Sequence, residues 1–197
     1  MKKIVLLLVM LPFLAVAVHA QESRQDVSMS ASGFYFPVRT GNTVHQNATL
    51  GVGGLASYRY MLTPRSALEA NYQYAQDYQK YVTSFNSIRV HSRIQEFSAA
   101  YVFNFSYRHL NPFVEGGIGG FMFSPIAAGT TDFDPKRATQ IGALYGGGVA
   151  YEISPSFDIR AEYRGQVMKT PSFGLANFKT NRWYTPSNPV IGVAYHF

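Results

Sequence analysis

The sequence contains no cysteine, a single tryptophan, and charged residues at only 14% of its 197 positions. The missing cysteine excludes a disulfide framework and any thiolate-ligated metal site, and it leaves no residue for lipid attachment behind an export signal. Beyond its first twenty residues the chain has no apolar run long enough for a spanning helix. Sustained 3.6-residue patterning is also scarce. The low charge does not signal disorder, because hydrophobic residues make up 47% of the chain and aromatics 15%. What remains is one folded, aromatic-rich domain with a net charge of +6.

The first residues read as an address. Lys2 and Lys3 precede an apolar stretch from Ile4 to Val18, and small Ala20 closes it. Polar Gln21, Glu22, Ser23 and Arg24 follow at once, and the apolar stretch is short for a bilayer span. Residues 1–20 are therefore expected to be a cleaved export signal, with residues 21–197 forming the mature domain.

Along the mature chain the hydrophobic period is two, repeatedly, which predicts an all-β protein. Eight strands are expected near 26–36, 48–61, 66–76, 94–106, 112–123, 138–153, 157–167 and 188–197. The connections alternate in length. Leu62–Arg65, Tyr107–Asn111 and Ser154–Ser156 are short, whereas 37–47, 77–93, 124–137 and 168–187 are long and polar. In an up-and-down arrangement all short links fall at one end and all long links at the other, as in transmembrane barrels of the bacterial outer membrane.

Each strand has one greasy face. Phe157, Ile159, Ala161, Tyr163 and Val167 alternate with Asp158, Arg160, Glu162, Arg164 and Gln166. Phe97, Ala99, Tyr101, Phe103 and Phe105 alternate with Glu96, Ser98, Ala100 and Asn104. The same alternation suits a water-soluble sandwich with its faces exchanged, so the decision rests on other features. These are the export signal, the aromatic end of the last strand, and aromatics such as Tyr35, Tyr58, Tyr60, Tyr151 and Tyr195 near strand ends. The apolar face is expected to meet lipid. The lumen then receives Arg59, Glu69, Glu96, Glu115, Glu152, Asp158, Arg160, Glu162 and Arg164, which must pair in so narrow a barrel. Glycines at 116, 117, 119, 120, 142, 146, 147 and 148 are expected to make room for large neighbours.

Three segments carry a resemblance. They are Asn111-Pro112-Phe113-Val114-Glu115-Gly116-Gly117-Ile118-Gly119, Ser154-Pro155-Ser156-Phe157-Asp158-Ile159-Arg160-Ala161-Glu162-Tyr163, and the ending Gly192-Val193-Ala194-Tyr195-His196-Phe197. With the export signal, they resemble small eight-stranded bacterial outer-membrane β-barrels of the OmpA-like and OmpX-like type. The resemblance implies an eight-stranded antiparallel up-and-down transmembrane β-barrel in a Gram-negative outer membrane. It also implies that Val193, Tyr195 and Phe197 form the signal read by the barrel-assembly machinery. The chain ends with its last strand, so no peptidoglycan-binding domain is expected after it. Such barrels include structural proteins, adhesins, channels for hydrophobic compounds and lipid-modifying enzymes, so the resemblance specifies architecture more sharply than activity.

Chemistry is thinly represented. His91 and Ser92 are adjacent and would point to opposite faces of a strand, and the His and Ser two apart on one strand that the resemblance implies for lipid-A deacylase barrels is missing. Asp132 and Asp134 make a thin oxygen site, no histidine pair has ligand spacing, and the glycine cluster lacks the helix of a phosphate cradle. No catalytic residue, metal or cofactor is expected. The long connections hold Arg39, Lys80, Arg89, Arg93, Lys136, Arg137, Lys169, Lys179 and Arg182, with Phe173, Phe178, Trp183 and Tyr184 in the fourth. This basic surface suits outer-membrane lipid and lipopolysaccharide, or an unidentified extracellular ligand, and no nucleic-acid module accompanies it. The expected protein is a monomer with a structural or surface-interaction role. A narrow channel for small or hydrophobic molecules, or a lipid-A-modifying enzyme, is the alternative.

Overall fold

The computed structural model describes residues 24–41, 44–46, 49–82, 87–105, 109–128, 137–170 and 183–197. All of its elements are strands. In chain order they are β1 (Gln25–Phe36), β2 (Arg39–Gly41), β3 (Val44–Gln46), β4 (Thr49–Thr63), β5 (Ser66–Val82), β6 (Ser87–Asn104), β7 (Leu110–Ala128), β8 (Ala138–Ser154), β9 (Phe157–Lys169), β10 (Trp183–Tyr184) and β11 (Ser187–His196). Eight of them are long and close a ring. β1 pairs with β4, and the ladder continues through β5, β6, β7, β8, β9 and β11 back to β1, antiparallel at every step. Closure leaves none of the eight long strands as a free edge, which an open sheet of this size would offer for aggregation. β2 and β3 form a small hairpin beside the end of β5, and β10 adds two residues to β9.

The seam between the first and last long strands is tied at the short-turn end. The Phe197 N–H donates to the Gln25 carbonyl at 3.0 Å, and on the other side of the last strand the His196 N–H donates to the carbonyl of Ser156, in the turn before β9, at 2.9 Å. At the turn between β4 and β5, the Thr63 hydroxyl oxygen accepts from the amides of Arg65 and Ser66 at 3.3 and 3.0 Å. That bond pattern, with Pro64 in the turn, reverses the chain in two residues.

The strands run further than hydropathy indicates. The segment 77–93, read above as a loop, continues the β5–β6 ladder from Asp77 opposite Ser92 to Val82 opposite Ser87. β7 likewise extends to Ala128. The reason is physical. Ladder hydrogen bonds join main chain to main chain whatever the side chains are, so pairing persists where the hydropathy alternation that marks a strand is lost.

Within the belt the pleat sorts side chains strictly. Met29, Leu50, Val52 and Ile141 point outward and are 76–80% exposed. So much contiguous apolar surface is incompatible with a monomer in water and fits a wall bathed in hydrocarbon. Inward-facing positions carry most of the buried polar and charged residues, together with apolar side chains such as Leu55, Val102 and Leu144. On β8 the inward residues include Gly146 and Gly148, and there glycine is required by crowding. A Cβ at 146 would meet Glu115 Oε1 at 2.5 Å, and one at 148 would meet the Phe113 ring at 2.7 Å.

Candidate functional site

The lumen is filled in layers. Nearest the short turns, His196 Nε2 lies 2.8 Å from Asp158 Oδ2. Above it, Arg59 and Glu69 face one another across β4 and β5, with Arg59 Nε donating to Glu69 Oε2 at 2.7 Å. Arg160 on β9 reaches Asp26 on β1 at 3.3 Å. Both guanidinium groups also lie over the Phe113 ring, at 4.9 and 5.9 Å from its centroid, so one aromatic ring serves two cations.

The middle layer centres on Arg164, whose side chain is fully buried. Its Nη2 donates to Glu96 Oε1 at 3.0 Å and its Nε donates to Glu115 Oε1 at 3.2 Å. Weaker bonds run from Nη1 to Gln73 Oε1 and from Nη2 to Ser98 Oγ, both at 3.4 Å. Gln166 Nε2 donates to the other Glu96 oxygen at 2.6 Å, and Asn188 Nδ2 donates to Gln73 Oε1 at 2.9 Å. One guanidinium on β9 thereby links β5, β6 and β7 across the lumen. Fork geometry makes arginine suited to this and lysine not.

The layer at the long-loop end has a different chemistry. Phe34, Phe36, Ala75, Ile94, Phe121, Phe123, Met168 and Tyr184 form one buried apolar cluster. Phe34 and Phe36 stack with centroids 5.7 Å apart, and Phe36 lies 6.3 Å from Tyr184. A carboxylate, Asp77, sits at this level and accepts from the Thr49 hydroxyl at 3.0 Å.

The residues picked out by sequence are placed unevenly. Arg59, Glu69, Glu96, Glu115, Asp158, Arg160 and Arg164 fall within these layers, and Glu162 is buried between Arg160 and Arg164 on the inner face of β9. Glu152 does not join them. It sits at the short-turn rim, its side chain 35% exposed and 3.9 Å from exposed His109, because β8 leaves the closed lumen there. Of the nine basic loop residues, Lys136, Lys179 and Arg182 lie outside the described residues, as do the signal segment 1–20, Phe173 and Phe178. Arg39, Lys80 and Arg89 belong to strands β2, β5 and β6 rather than to loops. Arg93 and Lys169 are strand residues too. They point outward, Arg93 over the Tyr74 ring at 5.7 Å and Lys169 over exposed Trp183 at 5.6 Å, and Arg137 is exposed just before β8. Tyr184, read as part of a loop contact patch, instead turns inward to the plug. At the chain end, Val193 faces outward and Tyr195 lies between Phe157 and Phe197, at 5.0 and 6.1 Å.

Asp26, Phe113 and the aromatic plug were not anticipated, whereas Gln73 shares with Glu69 and Asn71 the polar face that the sequence alternation assigns to them. For Asp26 the signal existed, since it shares parity with Ser28 and Ser32 on β1. The plug gave none, because inward and outward phenylalanines look alike once both faces of a strand are apolar.

Ser92 is buried inward while His91 lies on the opposite face of β6, and no cluster of three or more metal-ligating side chains occurs among the described residues. What the arrangement offers is a lumen occupied by side chains along its length, beneath a rim of outward-facing cations.

Comparison with known proteins bears on the barrel itself. Neisserial surface protein A is similar in structure, with a TM-score of 0.62 at 16% identity, over 89% of this chain and 98% of that one. Outer membrane protein OprG from Pseudomonas aeruginosa gives a TM-score of 0.63 at 8% identity, over 90% and 97%. Ail, the attachment invasion locus protein of Yersinia pestis, was solved in complex with the heparin analogue sucrose octasulfate, and gives 0.58 at 15%, over 90% and 100%. At such identities the likeness shows the fold. Comparison with curated protein sequences finds no match. The family model for the outer membrane protein beta-barrel domain matches residues 6–197. The protein is thus an eight-stranded transmembrane barrel of the Gram-negative outer membrane, and its chain belongs to the outer membrane β-barrel domain family.

Proposed function

We propose that this barrel is a non-conducting, non-catalytic surface protein that acts through its loop-end rim. The single observation behind this reading is the Arg164 clamp lying beneath the aromatic plug, since together they occupy the cross-section a solute would have to pass. A barrel of eight strands has an interior just wide enough for side chains to fill it. In planar bilayers the purified protein should show no steady, large conductance, and a sustained open level would overturn the closed-lumen reading.

The rim supplies the interaction. Arg93, Arg137 and Lys169 sit at the loop end, and two of them are stacked on aromatic rings that face outward. Cations held this way suit the anionic phosphates of lipopolysaccharide, and that Ail was crystallised with a polysulfated sugar makes polyanion binding a fitting property to test here. Neutralising Arg93 and Lys169 to Gln should weaken retention of lipopolysaccharide by purified barrel several-fold in a salt-dependent manner. Equal retention would overturn the rim reading. Lipid A from cells with and without the protein should have the same acyl pattern by mass spectrometry, and a changed pattern would favour an enzyme instead. Residues 1–20 serve as the cleaved export signal, and Val193, Tyr195 and Phe197 as the assembly signal. Loss of Phe197 should reduce insertion in cells, and normal insertion would remove that role.

A further inference from the structure

The outer wall carries a trough that the rim and lumen do not explain. Across four neighbouring strands, Tyr58 stands opposite Ala70, Ala70 opposite Ala99, and Ala99 opposite Ile118. The adjacent row toward the short turns is bulky, with Tyr60 opposite Leu68 and Leu68 opposite Tyr101. The adjacent row toward the loops is bulky too, where the Tyr72 and Phe97 rings lie 4.8 Å apart. Two alanines between two such rows leave a groove of about 390 Å³, which continues over Gly116. A Cβ at Gly116 would meet nothing within 4 Å. The volume lies in the roughly 300–1,000 Å³ range of small-ligand sites.

We infer that this groove holds one acyl chain of a phospholipid from the periplasmic leaflet. It opens on the wall that faces lipid, so it is continuous with the hydrocarbon interface of the barrel. It lies toward the short turns, which in this family architecture face the periplasm. Its lining is graded as a lipid is graded. The phenols stand at the turn side, where Tyr58 donates to Gln25 Oε1 at 2.6 Å and Tyr101 donates to Ser66 Oγ at 2.7 Å. Ala70, Ala99 and Ile118 carry the trough onward as an apolar floor, which buried Glu69 also borders. Rings tethered by hydrogen bonds keep the trough open, and an amphiphile with its glycerol end at the phenols satisfies both halves. A second copy of the barrel would have to bury those phenols against protein.

The test is native mass spectrometry of the folded barrel, extracted from vesicles of phosphatidylethanolamine and phosphatidylglycerol. Wild-type protein should retain one phospholipid per barrel. Ala99→Phe, and independently Ala70→Leu, should lower that occupancy at least tenfold. Both place an apolar group on a lipid-facing wall, so folding should persist, checked by resistance to denaturation in detergent at room temperature. Ala161→Phe, outward on β9 between Val149 and Ile191 and away from the groove, should leave occupancy unchanged. The proposal is overturned if wild type retains no lipid, if groove-filled variants retain it equally, or if wild type runs as a dimer that Ala99→Phe dissociates.

Discussion

The middle of the lumen and its loop end solve one problem with opposite chemistry. Both fill a narrow cylinder with inward-facing side chains from the same strands. Around Arg164 the filling is a bonded network whose bonds reach partners two or more strands away. Around Phe36 and Phe121 it is close-packed carbon that depends on shape. The difference matters because a buried charge that loses its partner is costly, whereas an apolar contact that is lost costs its transfer energy and a cavity.

That contrast can be broken at several points. Arg164→Met should show the largest effect, about 3–5 kcal/mol in urea unfolding from vesicles, because Glu96 and Glu115 are left buried without their cation. Adding Glu96→Gln and Glu115→Gln to it should recover most of the loss, and failure to recover would mean that packing rather than charge pairing matters there. Phe121→Ala should cost about 3–5 kcal/mol with no comparable rescue from polar changes nearby. Its conductance separates the layers further. If the Arg164 layer alone blocks passage, the variant stays closed, and intermittent opening would place the seal in the plug.

Smaller effects sharpen the contrast by leaving the lumen. Tyr163→Lys, on the outer face of the very strand that carries Arg164, should destabilise by about 2–4 kcal/mol if it lies near the bilayer midplane. An unchanged midpoint would count against the outward orientation of that face. Thr63→Ala removes the acceptor for two turn amides and should cost about 0.5–1.5 kcal/mol, a baseline for a local bond at the rim.

Alternation in residues 157–164 made strand β9 readable, and with it the assignment of Asp158, Arg160, Glu162 and Arg164 to one face. Hydropathy alone also specified the number of spanning strands and the ordering of short and long connections. Each of these depends only on neighbours along one strand, because side chains two apart share a face whatever lies beyond. Partner choice is different. That Arg160 would meet Asp26, that Arg164 would reach Glu96 and Glu115, and that Phe113 would lie beneath two guanidinium groups follows from strand register and the stagger of the closed ring. The same holds for the aromatic plug and for the alanine trough, which arise from residues of separate strands brought level. A period of two tells each residue which side of the wall it occupies, and only closure of the barrel sets what stands opposite.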